Sequence, residues 1–200
     1  SPPLGLITPV KSKDATPVGT EVGGVMAQEL AWLPGWDQEL VVHRPIRVIG
    51  IDLGTTNSTV TEIVWDPTSG EPPVASLIDI PQRTVQGEVV RDLVPSVVAL
   101  LDDVEFIGEG AHRLRSSAAT PLRRSKDIWW EAKNEIGTRR EYLAAPAGYR
   151  TPRDIASRIL GFLHEAALDA SELDIDKVVV TVPASFQLTQ RQDTLEAAVA

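Results

Sequence analysis

The residues whose types and spacing hold the most chemistry run from Asp52 to Ser58: Asp-Leu-Gly-Thr-Thr-Asn-Ser. They follow a β-branched stretch, so an acidic side chain closes a strand and a glycine opens a short polar turn. Gly54 has no side chain and lets the backbone approach a ligand closely. Successive backbone N–H groups in such a turn converge on an anion. Thr55, Thr56 and Asn57 add hydroxyl and amide donors. Asp52 by itself repels a phosphate. With Mg²⁺ between them its carboxylate becomes useful, directly or through coordinated water. The same residues also read as a plain hairpin turn with an aspartate at the strand end, and the loop alone leaves both readings open. Asn57-Ser58-Thr59 matches the N-glycosylation pattern. The N-terminus shows no basic region followed by an apolar stretch, so that match reads as coincidence.

The elements that must hold this turn follow from the pattern around it. Ile46 to Ile51 reads as a buried strand and Ser58 to Trp65 as the strand returning from it. Val74 to Ile80, Leu93 to Leu101 and Val104 to Ile107 read as further strands, the last two joined at Asp102-Asp103. Gly108 to Ala118 reads as a short helix, Ser125 to Ile136 as a second, and Ala144 to Tyr149 as a loop. Thr151 is an N-cap residue, with Pro152 at the first helical position and Asp154 in the first turn. Ile155, Ile159, Phe162 and Ala166 then share one face of a helix that should pack on the sheet. Lys177 to Val182 is a Val-rich run of the buried-strand kind, ended by Pro183. Thr189 and Gln192 fit a capping box opening a last helix. Strands first, then helix, strand and helix, give an α/β fold with a mixed sheet flanked by helices.

Composition sets the outer limits. The 200 residues are 42% apolar and 24% charged, ordinary for a globular domain. A net charge of −9 argues against general nucleic-acid binding. Arg113, Arg115, Arg123, Arg124 and Lys126 nevertheless cluster, which charge patterning alone reads as a solvated helix face and loop. There are no cysteines, which excludes disulfides, thiolate metal sites and cysteine nucleophiles and is compatible with a cytoplasmic location. No apolar run approaches the ~20 residues of a membrane-spanning helix. Residues 1–24, rich in Pro, Gly, Ser and Thr, read as a flexible tail. Trp32, Trp36 and Val41-Val42 suggest a short helix and strand before the domain. The first residue is Ser1 and the only methionine is Met26, an expected alternative start. The expected division is a flexible extension over 1–44 and a domain over 45–200.

The segment Ile49 to Val60, IGIDLGTTNSTV, resembles the first phosphate motif of the Hsp70 (DnaK-type) chaperones. Three more segments resemble that family in the same order: Val94 to Leu100, Ile107 to Ala111, and Val178 to Gln192, VVVTVPASFQLTQRQ. The resemblance implies an actin-like ATPase (ribonuclease H-like) fold, of which 45–200 would be the first lobe. It implies ATP/ADP and Mg²⁺ as ligands, with Gly54, Thr55, Thr56 and Asn57 cradling phosphates and Asp52 reaching the metal through water. The family's catalytic lysine stands in a K-R-x-x-G segment. Lys126 is the expected counterpart and Lys133 the fallback. Pro183 and Arg191 match the family's relay between ATP site and interdomain surface. Client polypeptides and J-domain and nucleotide-exchange co-chaperones are the implied partners, with no nucleic acid and no membrane.

Ser185 stands where the family usually has tyrosine, and Leu188 where many members have aspartate. The stretch from Lys126 to Thr151 is short, as expected of a divergent member. The family's second phosphate motif, catalytic glutamate and adenosine motif would lie beyond Ala200, so the 200 residues alone are expected to bind nucleotide weakly. The alternatives are a non-catalytic actin-like scaffold, or another actin-like ATPase such as a sugar kinase or filament-forming protein.

Overall fold

The computed structural model describes residues 44–199. The expected features at Met26, Trp32, Trp36 and Val41-Val42, and the 1–44 extension apart from Arg44, lie outside them. In chain order the strands are β1 (Ile46–Asp52), β2 (Asn57–Trp65), β3 (Val74–Leu77), β4 (Ile80–Thr84), β5 (Gly87–Arg91), β6 (Leu93–Pro95), β7 (Val97–Leu101), β8 (Val104–Ile107), β9 (Ile128–Trp130) and β10 (Lys177–Thr181). Among the described residues the helices are α1 (Glu109–Ser116), α2 (Pro152–Asp169) and α3 (Leu188–Ala198), with a 3₁₀ turn at Ala132–Glu135. The fold is mixed α/β, as the order of patterns indicates.

The main sheet runs β10-β1-β2-β3, with β6 pairing the start of β2. β1 and β10 are parallel from Val48↔Lys177 to Asp52↔Thr181. β1 and β2 are antiparallel, with Asp52 opposite Thr59. A second sheet, β8-β7-β9, and the hairpin β4-β5 complete the strands among the described residues. Asp102 and Asp103, with φ of 51° and 61°, make the left-handed turn between β7 and β8.

Helix α2 is the lid of the core. Thr151 accepts from the Asp154 N–H while Asp154 accepts from the Thr151 N–H, closing a capping box. Its buried stripe is Ile155, Ala156, Ile159, Leu160, Leu163 and Ala167, packed with Ile49, Ile51 and Val60 of the sheet. Phe162 and Ala166 are only half-buried at its margin. Each large aliphatic side chain so buried contributes about 1.5–3 kcal/mol. Arg47 is the largest charged side chain inside. It is 0% exposed and ties β1 to Glu62, to Ala167 O in the last turn of α2 and to Leu173 O beyond it.

Several expectations are corrected. Ser125 to Ile136 is not a helix: β9 and the 3₁₀ turn occupy it, because the aromatic pair Trp129-Trp130 joins β7. Val74 to Ile80 divides into β3 and the start of β4. Leu93 to Leu101 divides into β6 and β7 at Ser96, whose backbone N–H leaves the ladder for Thr56 O. The hairpin strand β5 carries no strong pattern and was not expected. β10 is not buried: Val178 and Val179 are 42% and 51% exposed, since the strand pairs only β1 among the described residues. The box opening α3 is Gln187 with Gln190, two residues earlier than expected.

Tyr149 stacks on Trp129, ring centroids 5.0 Å apart, and donates to Glu105 at 2.7 Å. Burial, then that hydrogen bond, pushes its phenol up to about 12. The folded state therefore holds the proton that the unfolded chain loses near 10.0. This stability is complete below pH 10 and is lost as pH rises through 12. Tyr149→Phe is expected to flatten the fall in stability over that interval, read by denaturant melts across alkaline pH. An unchanged slope contradicts the assignment.

Candidate functional site

The polar loop bridges β1 and β2. Leu53, 2% exposed, anchors it in the core while Asp52 faces outward. A Cβ on Gly54 would lie 1.9 Å from Asn57 O, so only glycine permits the turn. Two serines pin it. The Gly54 N–H donates to Ser58 Oγ at 3.2 Å, Ser96 Oγ donates to Gly54 O at 2.8 Å, and the two hydroxyls are 2.9 Å apart and buried. The Ser96 N–H donates to Thr56 O at 2.8 Å. The Gly54 amide is thus used internally. The N–H groups of Thr55 and Thr56 make no hydrogen bond among the described residues and are the ones left for an anion. Ser96, at the break between β6 and β7, was not expected as part of the site. Its one signal was the Val94-Pro95-Ser96 break in an apolar run.

Asp52 accepts from Thr181 Oγ1 at 2.7 Å, a bond made by their direct pairing across parallel strands. No group of three or more His, Cys, Asp or Glu side chains among the described residues could cage a metal. One exposed carboxylate beside free amides instead suits Mg²⁺, which keeps waters and takes phosphate oxygens.

The 3₁₀ turn beside the loop carries a cation. Lys133 is half-buried; burial lowers its ammonium pKa and the neighbouring Asp52 carboxylate opposes that shift. Its Nζ lies 5.6 Å from the centre of the Phe186 ring. The next residue, Asn134, accepts from Thr55 Oγ1 at 3.3 Å, joining the turn to the loop. Gly137, at φ 81°, has no room for a Cβ, which would meet Gln190 Cγ at 2.5 Å; its N–H donates to Asp193 on α3. Lys126 lies at the other end of β9, in a tight turn where its N–H donates to Arg123 O at 3.2 Å.

Pro183 and Arg191 bracket the turn after β10. Pro183 O accepts from the Phe186 N–H, and the Arg191 guanidinium donates to Phe186 O at 2.9 Å and Ala184 O at 3.1 Å. The segment they fix presents Phe186 to Lys133. Leu188 is 81% exposed at the start of α3.

The fold and site thus define a mixed α/β domain with a glycine-dependent polar loop at the end of β1. The family model described as Hsp70 protein matches residues 127–200. The chain is 34% identical over 176 residues to a chaperone protein HscA homolog of Aeromonas hydrophila, covering 80% of this chain and 26% of that protein. It is 32% identical over 150 residues to the chaperone protein DnaK of Mesomycoplasma hyopneumoniae, covering 75% of this chain and 21% of that one. The chain belongs to the Hsp70 family. It spans about a quarter of the length of the curated relatives it matches.

Proposed function

We propose that residues 45–200 form the first lobe of an actin-like ATPase domain that binds Mg-ATP and serves a chaperone cycle. The observation that carries this reading is the serine-pinned loop, with the Thr55 and Thr56 amides unengaged and Asp52 and Lys133 beside it. In this reading Thr55, Thr56 and Asn57 hold phosphate oxygens, with Gly54 making their turn possible. Mg²⁺, when bound, neutralises the charge on those oxygens, and Asp52 orients its water shell. The catalytic lysine is Lys133 rather than Lys126. Its ammonium feels the charge of Asp52, and it stands one residue from the loop's partner Asn134. Lys133 to Gly137 also supplies the lysine and glycine of the K-R-x-x-G pattern in register.

Pro183 and Arg191 are relay candidates because they fix the turn whose Phe186 meets Lys133. The relatives' names, chaperone proteins, support client polypeptides as partners, and co-chaperones are proposed from membership of the family. No helix among the described residues is long and apolar enough to cross a membrane. The test is the double substitution Thr55→Val, Thr56→Val in the natural protein. Each lost hydrogen bond to a charged group is worth about 1.5–3 kcal/mol, so Mg-ATP affinity should fall at least about tenfold by calorimetry. Unchanged affinity there removes only the two hydroxyls, since valine keeps both backbone amides; unchanged affinity in Gly54→Val as well would remove the loop from the site.

A further inference from the structure

We infer that Asp193 is a positioning residue for Lys133, gripping from α3 the segment that carries the lysine. The inference rests on the reading of Lys133 as the catalytic lysine. The grip is a bond to the backbone: the Gly137 N–H donates to Asp193 Oδ2 at 3.0 Å. One residue earlier the Ile136 N–H donates to Lys133 O at 3.4 Å, and the Ile136 side chain is 1% exposed in the core. Two consecutive amides therefore connect the Lys133 carbonyl to α3 through a buried anchor.

The packing around that bond is close. A Cβ on Gly137 would lie 2.9 Å from Gln190 N as well as 2.5 Å from Gln190 Cγ, so the backbone itself rests on α3. Just before α3, Phe186 meets the Lys133 ammonium. Tyr142, 5% exposed, donates to Glu135 at 2.7 Å and holds the 3₁₀ turn a second time. Two observations separate Asp193 from ordinary helix packing. It is the sixth residue of α3, inside the helix, where aspartate is a poorer helix former than alanine. It also forms no ion pair among the described residues, so its carboxylate is not committed to a neighbouring cation. The charge that opposes the lowering of the Lys133 pKa is that of Asp52. Asp193 acts instead through the backbone it holds, by a charge-assisted bond.

The test is a kinetic cycle in the natural protein. Asp193→Ala should lower kcat for ATP hydrolysis about tenfold, because a displaced charge loses transition-state stabilisation. KM for ATP should change less than about threefold, since the phosphate loop is pinned separately by Ser58 and Ser96. Asp193→Asn keeps an acceptor at the same place and should hold kcat within about threefold of the parent. In the Lys133→Ala background, Asp193→Ala should lower kcat less than about twofold further, because it acts through the lysine. A second readout needs no nucleotide: amide hydrogen exchange over 134–137 should quicken at least about tenfold in Asp193→Ala and not in Asp193→Asn. Alanine suits a helix interior, so Asp193→Ala is expected to fold. Unchanged kcat in Asp193→Ala, where Lys133→Ala lowers it, would overturn the inference and leave the reading of Lys133 intact. Equal losses in the Ala and Asn variants, a full additive loss beside Lys133→Ala, or unchanged exchange would overturn it too. No loss in Lys133→Ala would overturn that reading and this inference with it, even where exchange quickens.

Discussion

Arg47→Ala is expected to lower unfolding stability by about 3–5 kcal/mol, measured by urea denaturation. The guanidinium is fully buried and donates to Glu62 at 2.9 Å, Leu173 O at 3.1 Å and Ala167 O at 2.7 Å. Truncation leaves a carboxylate and two carbonyls short of a partner, and the cost is theirs more than the pair's own. It also frees the end of α2 from β1, the strand that aims Asp52. Arg47→Met combined with Glu62→Leu should therefore cost less than Arg47→Ala alone, because no unpaired charge remains. A loss under about 1 kcal/mol for Arg47→Ala, as for an exposed pair, would contradict this account.

The second large effect concerns the two lysines. In the natural protein, Lys133→Ala should reduce kcat for ATP hydrolysis about 10²–10³-fold, as removal of a preorganised charge does. Lys126→Ala should change it less than about twofold, as at an ordinary surface position. The pH profile supplies a second readout. Burial lowers the Lys133 pKa against the pull of Asp52, so its proton is lost at lower pH than that of a free lysine. The alkaline limb of the rate should fall correspondingly early, and Lys133→Arg should move that limb upward. A large loss in Lys126→Ala with none in Lys133→Ala would reverse the assignment.

The loop and the strands holding it were legible because their signals are local: a β-branched run, a glycine, small polar residues and a return strand. The capping box at Thr151 was legible for the same reason. The position of Lys133 next to the loop was not, because it depends on tertiary pairing. Trp129 and Trp130 have enough apolar surface for either a helix face or a strand. Only the pairing of β9 with β7 turns the following residues into the 3₁₀ turn carrying Lys133. Ser96 is a similar case, an ordinary break in an apolar run until β6 lies beside β2. The exposure of β10 was hidden too, since a Val-rich run reports what its side chains favour and not how many neighbours the strand has.

The most direct test of the central claim is an amide-resolved NMR titration of the chain with Mg-ATP, which reads even weak binding residue by residue. If the loop holds the phosphates, saturable shifts that depend on Mg²⁺ are expected at Thr55, Thr56 and Asn57, together with Lys133 and Asn134. These shifts should disappear in Gly54→Val, whose Cβ cannot coexist with Asn57 O in the present turn. Saturable binding that leaves those residues unmoved while shifting others would contradict it.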